Sequence, residues 1–272
     1  MDLKYQVKKT MLKFGIIIQK KIPADDILDF IKRFRDKYEP IELIRVGGDG
    51  DGGYLLPNNL DSVSYCFSPG VDYTANFEAH LSKSFGIKSF MADASVQSPP
   101  MNDDNFLFTP KFLGSKTKDT FITLSDWILE SLDGDTASKI LQMDIEGSEY
   151  DVLTLESAEA LAQFDSMIIE FHGLHNIFQR DFFRMVSAIF EKIFINFSIC
   201  HVHPNNCRSV LQINGVDVPD VIEVTFLRND LIEQFRTQDE ILLPHRLDSK
   251  NVERLPDIQM PEMWWKQENS KK

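Results

Sequence analysis

The stretch Leu141-Gln142-Met143-Asp144-Ile145-Glu146-Gly147-Ser148-Glu149 constrains the fold more than any other part of the chain. Ile140–Met143 is a short apolar run, the mark of a buried strand. Asp144–Gly147 is polar and holds a glycine, so it turns. Ser148 onward suits a helix: a small polar residue can cap, and Glu149 favours the positive end of the helix dipole. Glu146 is expected to point away from any crevice or to cap the helix. Strand, turn and helix this close together predict an α/β unit. In open α/β sheets the ligand crevice borders the carboxyl ends of the strands, which places Asp144 where chemistry occurs.

The flanking sequence repeats that pattern. Pro23-Ala24-Asp25-Asp26 opens a helix with Ile27, Leu28, Phe30, Ile31 and Phe34 on its apolar face, ending near Tyr38 ahead of Pro40. Ile41–Val46 and the strand beginning at Tyr54 flank Gly47-Gly48-Asp49-Gly50-Asp51-Gly52-Gly53, which holds five of the thirteen glycines. Such density requires positive φ or close backbone approach, in a hairpin turn or in a loop over a ligand. Ser62–Phe67 is a strand, Asn76–Phe85 a helix closed by Gly86, and Lys88–Ala92 a strand closed by Asp93. Asp93 follows Gly70 by 23 residues, near the spacing at which an acid meets a ribose hydroxyl. The full G-x-G-x-x-G is absent, which weighs against a dinucleotide. A strand at Phe106–Leu113 and helices at Thr123–Leu132 and Ser148–Gln163 follow. Next come a strand at Ser166–Phe171 and a helix at Arg180–Phe190. This alternation demands a parallel sheet with right-handed crossovers. Strands at Ile193–Val202 and Val221–Leu227 lack a helix between them and suit an antiparallel edge.

Composition excludes several function classes. With 42 acidic against 29 basic residues the net charge is −13, so a phosphate backbone is repelled and no nucleic-acid partner is expected. No apolar run reaches eighteen residues, so no membrane span is expected. Phe14–Ile18 is too short for a signal sequence, and Cys66, Cys200 and Cys207 have no metal-like spacing, so a reducing, cytoplasmic setting is expected. Residues 1–40 read as an N-terminal helical extension, of which residues 1–22 read as a short helix or arm able to pack on the domain or on a second subunit of a homodimer. Residues 41–228 read as the main domain and 229–272 as a tail packed on it, with Trp264 and Trp265 to dock.

The strand ends gather Gly70, Asp93, Asp144, Glu170 and His172 on one sheet edge. Gly70 and Asp93 fit a nucleoside ligand. Asp144, Glu170 and His172 admit three readings: ligands of Mg²⁺, Mn²⁺ or Fe²⁺, a catalytic base in Asp144 or His172, or acids that merely cap helices or pair with a base. His201 and His203 lie two apart on a strand and so share a face; His203 is a further candidate ligand, and a plain turn at Pro204-Asn205-Asn206 is the alternative.

These residues also resemble a family. Asp144-Ile145-Glu146-Gly147-Ser148-Glu149 with Val152-Leu153 looks like the D-x-E-G-x-E signature of FkbM-type S-adenosylmethionine-dependent methyltransferases. Arg45-Val46-Gly47 with Asp51-Gly52-Gly53-Tyr54 is similar to an upstream element of one branch. Ser68-Pro69-Gly70-Val71-Asp72 with Asn76-Phe77-Glu78 looks like its modified glycine turn, with Asp72 where a second glycine often stands. Thr123–Trp127 resembles its helix start. The resemblance implies a Rossmann-like seven-stranded class I sheet, with helices on both faces and a reversed last hairpin. It implies S-adenosylmethionine bound by Asp51, Gly52, Ser68, Gly70, Asp72 and Asp93. It implies methyl transfer to a hydroxyl of a glycan or small molecule, with Asp144 and His172 catalytic and a divalent metal at Asp144, Glu170, His172 and His203. Two alternatives stand beside it: a nucleic-acid methyltransferase, and a cofactor-binding protein without catalysis.

Overall fold

The computed structural model describes residues 3–16, 20–71 and 73–266. Helix α1 (Leu3–Lys13) buries no side chain. Helix α2 (Ala24–Arg35) buries Ile27, Phe30, Ile31 and Phe34 at helical spacing, with Asp25 and Asp26 in its first turn and basic residues in its last. Strands β1 (Leu43–Val46) and β2 (Tyr54–Pro57) form an antiparallel hairpin around the glycine-rich loop. Then follow β3 (Tyr65–Pro69), α3 (Asn76–Phe85), β4 (Lys88–Ala92), β5 (Phe106–Thr109), β6 (Phe112–Leu113), β7 (Phe121–Ile122) and α4 (Leu124–Leu132). After strand β8 (Lys139–Met143) lie α5 (Glu149–Leu155), α6 (Ala158–Leu161), β9 (Ser166–Phe171), α7 (Arg180–Asn196) and β10 (Phe197–Pro204). The hairpin β11 (Val210–Ile213) and β12 (Val216–Pro219), strand β13 (Ile222–Arg228) and the short α8 (Ile232–Phe235) complete the list.

The central sheet has seven strands in the order β10-β13-β9-β8-β3-β4-β5. The run from β9 to β5 is parallel, while β13 runs antiparallel to both of its neighbours. The reversed strand is thus inserted between β9 and β10 rather than added at the edge. With helices on both sides this is the Rossmann-like mixed α/β sheet expected.

Strand alternation sorts side chains into two cores. Phe67, Leu141 and Ile169 face one core with α2 and α7. Cys66, Ile140 and Ile168 face the other, under α3 and the β1–β2 hairpin. Trp264 from the tail enters the first core. Its ring meets Phe34 edge-on at 5.2 Å, and its Nε1 donates to the Asp217 carbonyl at 2.8 Å.

Several boundaries differ from the sequence expectation. The strand expected over Phe106–Leu113 is broken at Pro110, which has no N–H for a ladder. The helix expected over Ser148–Gln163 is two helices, because Ser157 leaves α5 behind and caps α6 by accepting from Ala160 N at 3.1 Å. Ile193–Asn196 are helical, not strand: Ile189, Phe190, Ile193 and Phe194 form one buried helix face, and that burial outweighs β-propensity. The hairpin β11–β12 was not foreseen. Its turn is Asn214-Gly215, both at positive φ, which is the strongest short hairpin signal.

Candidate functional site

Register aligns the chemistry in one row across the carboxyl edge. His203 pairs with Glu223, and Glu223 with Glu170. Met143 pairs with Ile169, so Asp144 falls beside Glu170 one residue on. Pro69 pairs with Ala92, which sets Gly70 beside Asp93. The β8–β9 and β3–β4 ends meet at Gly70: a Cβ there would lie 1.7 Å from the Asp144 carbonyl oxygen, and φ is +86°. Only glycine allows the two backbones to approach this closely.

In front of this edge lies a cavity of about 590 Å³. Its walls include Asp51 and Gly52 from the loop, Gly70 and Val71 after β3, Asp93 and Ser95 after β4, and Gln142, Asp144 and Glu146 from β8 and its turn. The Asp93 carboxylate is oriented by accepting from Ser95 N at 2.7 Å and Ser95 Oγ at 2.6 Å. The loop is held by Arg45, whose Nε donates to the Gly48 carbonyl at 2.9 Å and whose Nη1 donates to the Leu247 carbonyl at 3.2 Å. Gly47 and Gly53 are compelled by the loop itself, since their Cβ atoms would lie 2.2 and 2.0 Å from the Gly52 and Gly48 carbonyl oxygens.

His172, at the end of β9, stands among carboxylates. Its Nδ1 is hydrogen-bonded to Glu149 Oε1 at 3.0 Å. The fully buried Glu149 is fixed in turn by Ile145 N and Gly147 N, both donating to the same oxygen at 3.1 Å. His172 Nε2 is therefore aimed at Glu146 Oε2 (3.6 Å), Glu170 Oε1 (3.6 Å) and Asp144 Oδ1 (3.8 Å). Burial lowers the imidazole pKa, but the Glu149 hydrogen bond and the surrounding carboxylates prevail and raise it. Asp144 is pushed up to about 7, first by burial, with His172 opposing and Glu146, Glu149 and Asp51 adding repulsion. Its Oδ1 is buried without a hydrogen-bond partner. Glu170 is raised well above the usual carboxylate range by burial and by the charges of Asp144 and Glu223; its Oε1 accepts from Asn205 at 3.0 Å.

The sequence candidates divide by position. Asp51, Gly52, Gly70, Asp93 and Asp144 line the cavity, and Glu170 and His172 stand beside Asp144. Ser68 lies beneath the cavity rather than in its wall. Its hydroxyl is hydrogen-bonded to Glu78 and, at 2.7 Å, to Gln142, and Gln142 Nε2 donates to the Tyr54 hydroxyl at 3.2 Å. Burial raises the Glu78 pKa, with the Ser68 hydrogen bond opposing. Asp72 lies outside the described residues.

His203 does not join Asp144 and His172. It sits three strands from Asp144, roughly 14 Å at the usual strand spacing, and groups instead with His201 and Asp248. One ion cannot span that gap, so the set Asp144, Glu170, His172 and His203 is not a single metal site. Sequence reasoning missed Glu149 as the orienting partner of His172, the approach of Glu146 to its Nε2, and Glu223 in the row. Pairing of β13 between β9 and β10 would have revealed Glu223, but no local signal encodes that insertion.

The sheet order and the carboxyl-edge cavity define a Rossmann-like mixed α/β protein with a small-molecule-sized site at the strand ends. A sequence model of the methyltransferase FkbM domain matches residues 72–195. No curated protein matches the sequence. Among solved structures it is similar to the fibrillarin/Nop5p complex, at 9% identity and a TM-score of 0.36, over 61% of this chain and 73% of that one. The family implies use of S-adenosylmethionine, and the residues present fit it. The cavity volume is that of a small-molecule site. Gly70 leaves its floor open, and Asp93 presents an oriented carboxylate in its wall. Among the described residues no helix is long and apolar enough to cross a membrane.

Proposed function

We propose that the chain is an S-adenosylmethionine-dependent O-methyltransferase acting on a hydroxyl of a glycan or other small molecule. One observation carries the reading. Asp144 faces the cavity with a pKa near 7 and a buried oxygen that has no hydrogen-bond partner. A carboxylate poised near neutrality is matched to taking a hydroxyl proton as the oxygen becomes a nucleophile. Bound S-adenosylmethionine supplies an electrophilic methyl group on a sulfonium sulfur.

The chain's own residues do the rest. Asp93 and the Gly70 turn hold the donor, and the Asp51–Gly52 loop walls the cavity against water. Asp144 accepts the acceptor's proton. His172, its pKa raised and its ring fixed by Glu149, supplies positive charge beside Asp144 and steadies the ionised carboxylate. Positioning accounts for much of the rate in such in-line transfers. The ring of carboxylates and the net charge of −13 favour a neutral, hydroxyl-rich acceptor over a phosphorylated or nucleic one.

A second reading adds Mg²⁺ or Mn²⁺ between Asp144 and His172. It is favoured by the convergence of Asp144, Glu149 and His172 ligand atoms within 4.8 Å. The test of both is transfer of an isotopically labelled methyl group to a panel of neutral sugars, phenols and RNA, with and without chelator. The proposal expects label on a hydroxyl oxygen of a neutral acceptor, and at least a hundredfold lower kcat in Asp144→Asn (about 2.7 kcal/mol). Label on nitrogen or on RNA, or a fully active Asp144→Asn, overturns it. Loss of activity in chelator, restored by Mn²⁺ in the wild type, selects the metal-assisted form.

A further inference from the structure

The second cluster of ligand-type side chains lies apart from the cavity, at the far end of the row. His201 and His203 project from the same face of β10, with ring planes within 14° of parallel. Asp248 reaches them from the C-terminal segment. One ligand atom from each residue lies within 4.8 Å of the others, and all three side chains are over nine-tenths buried.

Hydrogen bonding alone accounts for only part of this convergence. Asp248 Oδ1 accepts from His201 Nε2 at 2.8 Å, but His203 Nδ1 stands 3.7 Å from the same oxygen, too far for a hydrogen bond. His203 Nε2 is also buried without a partner. Ligand bonds of about 2.0–2.2 Å set neighbouring tetrahedral donors roughly 3.3–3.6 Å apart, and the two separations from Asp248 Oδ1, 2.8 Å to His201 Nε2 and 3.7 Å to His203 Nδ1, bracket that spacing. The surrounding shell suits a bound cation: Asp248 Oδ2 is oriented by the His245 N–H at 2.7 Å, and Glu223 stands directly opposite His203.

We propose that His201, His203 and Asp248 bind one divalent transition-metal ion, and that this ion clasps the C-terminal segment to the sheet edge. Two imidazoles and a carboxylate favour Zn²⁺ over Mg²⁺ or Ca²⁺, which prefer oxygen alone. The clasp reaches the donor cavity indirectly. The clasped segment also supplies the Leu247 carbonyl to Arg45 and Asn251 to Glu223, so the metal fixes the support of the glycine-rich loop. It is separate from the Asp144–His172 group, three strands away.

The test is metal analysis of the full chain, loaded with Zn²⁺ and then dialysed, by plasma mass spectrometry, with circular dichroism to confirm folding. The wild type is expected to retain about one zinc per chain and His172→Gln to retain the same. His201→Gln and the near-isosteric Asp248→Asn are each expected to lose at least tenfold in affinity. Zinc is also expected to raise the melting temperature of the wild type but not of Asp248→Asn. A wild type that keeps no zinc, variants that keep it fully, or loss confined to His172→Gln each overturn the assignment.

Discussion

Replacing Asp144 with asparagine should stabilise the protein above neutral pH while lowering kcat for methyl transfer at least a hundredfold. The folded chain raises the Asp144 pKa from 3.8 to about 7. Between those values the folded state holds a proton that the unfolded state has released. Stability from this group is therefore fully present below about pH 4 and is lost as pH rises through 7. A shift of about three units corresponds to roughly 4 kcal/mol at most, at 1.36 kcal/mol per unit. His172 loses a partner in the variant, which reduces the net gain to about 1–3 kcal/mol at pH 8. Urea titrations of the ligand-free protein at half-unit steps from pH 5 to 8 measure this. The wild-type free energy of unfolding should fall with pH more steeply than that of Asp144→Asn. Parallel curves, or an asparagine variant less stable at pH 8, would falsify the claim that Asp144 is held as a strained, near-neutral carboxyl. Glu170 and Glu223 shift in the same direction, so some slope remains in the variant.

Other consequences follow from single contacts. Gly70→Ala adds a Cβ 1.7 Å from the Asp144 carbonyl oxygen at a positive φ. The left-handed backbone alone costs about 1–2 kcal/mol, and the β3 and β8 ends must part, so donor affinity in calorimetry should fall at least tenfold. Unchanged affinity would mean that the turn does not shape the cavity. Trp264→Ala removes a fully buried indole packed on Phe30 and Phe34 and should cost about 3–5 kcal/mol in chemical denaturation, with turnover per folded molecule nearly intact. A loss under about 1 kcal/mol would show that the tail is not part of the core.

The parallel half of the sheet was legible because each strand is a short apolar run ended by a turn residue and followed by an amphipathic helix. Asn76–Phe85, Lys88–Ala92 and Ser166–Phe171 occur with the bounds their sequence predicts. Legibility ended where tertiary burial decides. Ile193 and Phe194 carry strand propensity, yet they complete the buried face of α7. At the site, strand ends exposed Gly70, Asp93, Asp144, Glu170 and His172, since a β-run closed by a polar residue marks the carboxyl edge. Glu149 looked like a helix-start acid and is one: its oxygen accepts two turn amides. That same anchoring makes it a rigid partner for His172, a role only the fold could reveal. His203 was misplaced because sequence gives no strand order, and two strands separate β10 from β8.

The central claim is that the cavity between the Asp51–Gly52 loop and the ends of β3, β4 and β8 binds the methyl donor. Isothermal titration with S-adenosylhomocysteine, which binds like the donor but cannot react, tests it most directly. The account predicts one site per chain in the wild type, with affinity at least tenfold weaker in Asp93→Ala, the loss of a charged hydrogen bond worth about 1.5–3 kcal/mol. No binding by the folded wild type, or equal binding by Asp93→Ala, would contradict it.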